Sequence, residues 1–550
     1  MSFAHKLLET DPLPAYCPPE TGGQPRSGRG SLTHHVVLFA LVLALTSLTG
    51  LAAGPADLID AVQSGNTTAA IKLIEAKVDV NGTSADGTTA LHWAVHNADA
   101  GMVDRLIKAG ANVNVKNEYG LAPIIEAANV GNTAILEGLL KAGADANTPG
   151  TEGTTPLMIV ARSTNVAAAR SLLDHGADVN AKENQRQQTA LMWACAQSRP
   201  DMVAELVKRG ADVNARAMVN NTATASYNTA GFMEWPSNVS TEPRAGPRAA
   251  GGLTALLYAA REGCTRCVKA LIDGKADVNM TDPEGVTPLM MAAQNLQFDA
   301  AALLIKAGAD VNRWDLWGRS ALYLTVDVNT VPHGGRADRP SLDETTGLDV
   351  IRMLLEADAN PNLQLKLLPP YRNLGNDRGL DTMLTIGTTP LLRAAKALDA
   401  PAVKLLVDHG AKLDLPNNRG ITPVMAAAGM GSVDADTRGW YTTDDTPQRS
   451  IDTLKILLEA GADVNSKEPS GKTPLHEAAR WGWNATVQFL VDHGADLYAK
   501  SRDPQGREKT VIDSAMGRNG GNSRGGARVD VHEETAKLLE DLMKTHPEKK

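Results

Sequence analysis

Apolar positions along this chain keep one spacing for most of its length. In Met102–Ala109 the apolar residues Met102, Val103, Leu106 and Ile107 recur at i, i+1, i+4 and i+5. That is one face of a 3.6-residue period and predicts an amphipathic helix. A shorter pattern, seen in Leu475-His476-Glu477-Ala478-Ala479, predicts a short helix whose Ala pair lets another helix approach closely. The two patterns alternate, and they do so in register. The string Gly-x-Thr-(Ala/Pro)-Leu, or a close variant, puts its Thr at 89, 155, 189, 254, 287, 389, 422, 473 and 510, with Ala122 and Ser320 in the same place. Most separations are about 33 residues and the others are one repeat plus an insertion, which is the mark of a repeat architecture.

A second string, Gly-Ala-Asp-Val-Asn or a near variant, follows each first string at a constant distance. It stands at 110–114, 143–147, 176–180, 210–214, 308–312 and 461–465. Thr followed by Pro starts the first helix well, because Pro at the first position gives up no needed N–H. Gly110 is placed to stop the second helix as a left-handed cap. Asp or Asn shortly before the next Gly and Thr is tight-turn chemistry. Each repeat is therefore predicted to be helix–turn–helix with a projecting turn. One such repeat cannot bury its own apolar face; stacking does so.

Thr473-Pro474-Leu475-His476-Glu477-Ala478-Ala479, Thr287-Pro288-Leu289 and Gly461-Ala462-Asp463-Val464-Asn465 resemble the ankyrin repeat. The resemblance covers roughly residues 56–545. It implies a mainly α fold, an ankyrin-type α-solenoid of about ten helix–turn–helix repeats with projecting β-turns or hairpins. The repeats occupy 86–507 and begin near 86, 119, 152, 186, 251, 284, 317, 386, 419 and 470. Residues 56–85 are expected to form a half-degenerate N-terminal cap. Residues 508–545 are expected to form a C-terminal cap, with a last helix from Glu533 to Lys544. For function the resemblance implies a protein-binding scaffold, since function lives in sites grafted on the fold.

Residues 1–30 are rich in Pro, Gly and polar residues and read as a disordered extension, with Arg26 and Arg29 near its end. Val36–Leu45 is then apolar and uncharged, and Gly50 and Ala52 offer small residues for a cleavage site. This is the pattern of a secretory signal over 31–53. The stretch 36–53 reaches only the lower edge of the length a spanning helix needs, so an uncleaved membrane anchor is the alternative. Either way the repeats are expected outside the cytoplasm, in an exported, bacterial-type protein that is periplasmic or secreted. Membrane contact is expected only through residues 36–53.

Four insertions break the period: 217–250, with Tyr227, Phe232 and Trp235; 330–347; 363–386; and 431–449, with Trp440 and Tyr441. Lengthening a surface loop costs little, and most of 217–250 is read that way. The Trp440–Tyr441 pair favours a docked or partner-binding loop. In the resembled family, partners meet the projecting turns and the end of the first helix. Those positions carry Glu118, Tyr119 and Leu121; Leu316, Trp317 and Arg319; Asn418, Arg419 and Ile421; and Lys472, Arg480 and Trp481. Trp, Tyr and Arg are the residue types of binding hot spots. The candidate partner-binding residues are thus Tyr119, Leu121, Trp317, Arg319, Arg419, Trp440, Tyr441, Arg480 and Trp481. Trp93 and Trp193 lie inside first helices and are expected to be core.

Charge changes the picture only by exclusion. Lys and Arg number 54 against 63 Asp and Glu, for a net charge of −9. No basic surplus exists to drive phosphate binding, so nucleic acid is not an expected partner. Four cysteines in 550 residues cannot be a disulfide framework. Cys264-Thr265-Arg266-Cys267 can form a local disulfide or redox pair. Its register makes two buried thiols, packed as small hydrophobes, the expected state. No metal-ligand spacing, nucleophile elbow or nucleotide-binding string occurs, so neither metal nor cofactor is expected. Gly517 to Arg528 reads as a link to the last helix. The chain is read as a non-enzymatic, monomeric scaffold for a protein partner of unknown identity. The alternatives are a small-molecule or catalytic site built by 363–386 and 431–449 from Tyr371, Arg372, Asp377 and Tyr441, or a structural envelope component.

Overall fold

The computed structural model describes residues 54–220, 249–329, 343–367, 385–430, 445–517 and 531–548. The signal or anchor at 31–53, the middles of the four insertions, and Tyr371, Arg372, Asp377, Trp440 and Tyr441 lie outside the described residues, as does most of 517–528. The chain divides into two compact units, Met1–Tyr119 and Gly120–Lys550.

The described residues hold twelve pairs of helices. The first unit contains α1 (Pro55–Gln63) with α2 (Thr67–Glu75) and α3 (Ala90–His96) with α4 (Ala100–Lys108). The second opens with α5 (Pro123–Val130) and α6 (Thr133–Lys141), α7 (Pro156–Ala161) and α8 (Val166–Asp174), α9 (Ala190–Ala196) and α10 (Pro200–Lys208), and α11 (Ala255–Glu262) and α12 (Thr265–Asp273). It continues through α13 (Pro288–Gln294) and α14 (Phe298–Lys306), α15 (Ala321–Asn329) and α16 (Gly347–Glu356), and α17 (Pro390–Lys396) and α18 (Ala400–Asp408). Last come α19 (Pro423–Ala427) and α20 (Thr446–Glu459), α21 (Pro474–Arg480) and α22 (Asn484–Asp492), and α23 (Val511–Ala515) and α24 (Glu533–Thr545).

The caps explain where these helices start. Thr287 and Thr389 each accept the backbone N–H three residues on, from Met290 and Leu392, at 3.1 Å. Second helices use Asn or Asp instead. Asn66, Asp99, Asn165 and Asp399 accept from Ala69, Met102, Ala168 and Ala402 at 2.9–3.1 Å. Each such cap is worth about 1 kcal/mol. Gly110 ends α4 at φ +93°, a left-handed turn that Gly adopts without strain.

Within each unit, first helices pack on first helices and second helices on second helices. Leu191 and Ala194 of α9 and Leu256 and Ala259 of α11 are buried at matching positions. A buried Leu contributes about 2 kcal/mol, and the small Ala lets the neighbouring helix come close. The last residue of the second string ties successive repeats together. Asn147 donates from Nδ2 to the Gly176 carbonyl at 2.8 Å and accepts the Asp178 N–H at 2.7 Å. Asn180, Asn312, Asn362 and Asn465 repeat the same pair of bonds. The projecting turns are linked as well. Asn184, Leu316, Asn418 and Arg502 each donate their N–H to the preceding turn, at Glu152, Glu284, Ile386 and Ser470, at 2.7–2.8 Å.

Several expectations change. At the described ends of 217–250, β1 (Val219–Asn220) and β2 (Ala250–Gly251) pair antiparallel; the rest of that insertion lies outside the described residues. At the other end of the chain, β3 (Lys500–Arg502) and β4 (Glu508–Thr510) form a second hairpin. Residues 446–449 belong to α20, because the second helix of that repeat is extended at its N-terminus. Residues 343–346 are held to α14: Asp299 accepts the N–H groups of Glu344 and Thr345 at 3.1 and 2.9 Å. Cys264 and Cys267 are not free thiols; their sulfurs are bonded.

Candidate partner-binding face

Two of the expected anchors are interior. Trp317 is 2% exposed, and Arg319 is also buried. The cause is the near end of the 363–386 insertion, which lies over this turn. The N–H of Lys366 donates to the Trp317 carbonyl at 2.8 Å. Arg319 then turns inward, pairing with the buried Asp315 at 2.7 Å and lying over the Trp317 ring at 4.6 Å. Burial pushes the Asp315 carboxyl up, against the pull of Arg319. Ile421, also expected at the surface, is buried too. On the outer side of this turn, Trp314 and Leu316 are exposed, with the Lys366 ammonium 3.0 Å from the Trp314 ring centre.

The remaining candidates sit at or near the surface. Tyr119 is 55% exposed. Arg419 is exposed and Leu121 half-buried. Arg480 is exposed on one side of the half-buried Trp481, with its guanidinium 5.2 Å from the ring centre. Trp481 donates from Nε1 to the Gly429 carbonyl at 2.9 Å and stacks on Trp483. Gly429 has φ +99°, and a Cβ there would meet both indoles within 3.0 Å. Arg480 and Lys472 together neutralise the buried Glu477, at 3.2 and 3.3 Å.

Sequence reasoning missed a second cluster. Trp93 and Trp193 are half-buried rather than core. Trp193 lies four residues after Thr189, and Tyr258 four after Thr254, so they occupy the same register on neighbouring first helices α9 and α11. Gln188 joins them. The Trp193 indole donates to its Oε1 at 3.0 Å, and its Nε2 donates to the Tyr258 hydroxyl at 2.6 Å. Arg162 lies over the Trp193 ring at 5.6 Å and Arg261 over Tyr258 at 5.1 Å. Burial raises the Tyr258 hydroxyl above its usual pKa. The signal was available: an aromatic at one register in successive repeats, with Arg three residues after Tyr258.

A polar-lined cleft of about 360 Å³ lies within the first unit, bounded by Val62, Ser64, Thr67, Ala94, Asn97 and Met102. Among the described residues, no cluster of three or more His, Cys, Asp or Glu could hold a metal ion. No helix among them is long and apolar enough to cross a membrane.

The ankyrin repeats (3 copies) family matches residues 58–150, 124–217, 237–315 and 447–519, more than half of the chain. The human transient receptor potential cation channel subfamily A member 1 is 26% identical over 228 residues, 41% of this chain and 16% of its own length. Mask-1 of Caenorhabditis elegans, an ankyrin repeat and KH domain-containing protein, is 31% identical over 131 residues, 24% of this chain and 4% of its own. Human inversin is 26% identical over 249 residues, 43% of this chain and 21% of its own. The chain thus spans about a fifth or less of these relatives. The solved human ASB11 ankyrin repeat domain aligns with 46% of this chain and 98% of itself, at 22% identity and a TM-score of 0.36. Paired helices at one fixed period, Thr caps, Asn clamps and the family match converge, and this chain belongs to the ankyrin repeat family.

Proposed function

We propose that this protein is an exported, non-enzymatic scaffold. It binds a protein partner through the face made by its first helices and projecting turns. One observation carries the reading: the half-buried Trp193 lies under Arg162 and is held by Gln188, which is anchored in turn on the buried Tyr258 of the next first helix. Aromatic rings held by hydrogen bonds and stacked cations lose little freedom on binding, which favours affinity. Within the second unit, Trp481 with Arg480, exposed Arg419 and the Trp314–Leu316 turn carry the same chemistry; the first unit has its own exposed Tyr119. Export rests on the signal pattern at 31–53 and exclusion of nucleic acid on the charge balance; the scaffold is read as a monomer.

The test is affinity capture with the full chain from envelope and extracellular fractions. Trp193→Ala with Arg162→Ala, and separately Trp481→Ala, should lower recovery of a specific protein at least tenfold while far-UV circular dichroism stays unchanged. Recovery equal to wild type in both variants rejects this face. N-terminal sequencing of the fractionated protein tests export. A soluble mature chain starting near Ala53 supports cleavage; an intact N-terminus in the cytoplasm rejects it.

A further inference from the structure

In one repeat the helix cap is made of sulfur. Asn66, Asp99, Asn132, Asn165 and Asp399 occupy the N-cap of the second helix in five other repeats, and each accepts a backbone N–H through a side-chain oxygen. At that position α12 carries Cys264, whose Sγ accepts the Cys267 N–H at 3.3 Å. The residue one turn on, Ala69, Met102, Ile135, Ala168 or Ala402 in those repeats, is Cys267. Both substitutions occur together, and the sulfurs are bonded with the Cα atoms 5.2 Å apart.

A structural staple does not explain this pair. The bridge spans only two intervening residues, so it removes little freedom from the unfolded chain. Val268 and Leu271 are already buried on α12, which packs against α10, α11 and α14. The two sulfurs also differ in access. Cys264 is half-buried at the turn after α11, whereas Cys267 is wholly buried. A sulfur at a helix N-terminus that receives a backbone N–H is stabilised as thiolate. Cys195, the free cysteine among the described residues, has none of this: it is buried in α9, and burial pushes its thiol up.

We propose that Cys264–Cys267 is a reversible thiol–disulfide exchange site, with Cys264 the sulfur reached by a small thiol or dithiol and Cys267 the resolving sulfur. The thiolate of the incoming thiol attacks Cys264 Sγ. The S–S electron pair leaves with Cys267, which takes up a proton. A second thiolate attacks the incoming sulfur of the mixed disulfide, freeing Cys264 as a thiolate that is then protonated. One protein disulfide is reduced to two thiols, and two reagent thiols become one disulfide. The reverse reaction runs when oxidised reagent predominates. The site needs no rearrangement of the stack, because other repeats hold the same helix start with an oxygen cap.

The experiment uses the full-length protein purified without reductant. It is equilibrated under native conditions in a series of reduced and oxidised glutathione, acid-quenched, unfolded and alkylated. Each cysteine is then read in its own peptide by mass spectrometry. Cys264 and Cys267 should be unlabelled at the start and become labelled together as reduced glutathione rises, with far-UV circular dichroism unchanged. Cys195 should be labelled throughout. Cys267→Ser should trap glutathione on Cys264 in the native protein, and Cys264→Ser should trap none on Cys267. Labelling of both before any thiol is added overturns the proposal. So does a pair still bonded after excess dithiothreitol without denaturant, or loss of helicity on reduction.

Discussion

Arg393 on α17 reaches back 66 residues to Asp327 on α15, with Nε 2.7 Å from Oδ1 and both side chains buried. The pair bridges two first helices that are separated in sequence by two inserted segments. Removing one partner leaves the other charge buried and deprived of this contact. Arg393→Leu should therefore cost about 3–5 kcal/mol. Asp327→Leu with Arg393→Leu should cost less than the sum of the single changes. Urea denaturation of the three variants checks this, and additive costs would count against coupling.

Asn465 clamps the backbone of the following repeat, donating to Gly494 at 2.9 Å and accepting from Asp496 at 2.8 Å. Asn465→Ala removes both bonds and should cost about 1–3 kcal/mol. Because each repeat leans on its neighbours, the loss should be local. Hydrogen exchange should quicken in α21 to α24 and stay unchanged in α5 to α8.

His476 is held neutral. Its Nδ1 accepts the Thr473 N–H at 3.2 Å, and burial lowers its pKa from 6.5 to about 4, although Glu477 pulls the other way. The unfolded chain takes up a proton below about pH 6.5, while the folded chain resists it. Stability from this residue is therefore complete above the unfolded value and is lost as pH falls towards the folded one. The loss reaches about 3 kcal/mol. The thermal midpoint of wild type should fall across that window by more than that of His476→Gln.

Ala98 and Ser198 follow first helices in the left-handed region, at φ +54° and +53°, where Gly65 and Gly131 stand in other repeats. A side chain there is strained by contact with its own backbone. Ala98→Gly and Ser198→Gly should each stabilise the protein by about 0.5–1 kcal/mol. Calorimetry reads this as a higher melting temperature for each variant, and a lower one would refute it.

The repeat, its caps and its stacking mode were legible in the chain because they rest on local chemistry at a constant period. Thr287 with Pro288 starts a helix, Gly110 stops one, and the Asn that closes each second string, such as Asn147 or Asn465, marks the clamp. The surface was less legible. Trp317 and Arg319 sit at positions that face outward in a plain repeat, yet Lys366, from an insertion much later in the chain, covers them. Trp193 and Tyr258 needed Gln188 between them before they became a pair.

Short-range interactions, recurring once per repeat, were thus set by the amino-acid order alone: helix starts, helix ends and the buried Leu and Ala rows. Tertiary structure decided which aromatic and charged side chains meet water, and that two sulfurs of one helix start are joined. Exposure depends on what distant segments lie over a turn, and no local pattern carries that information.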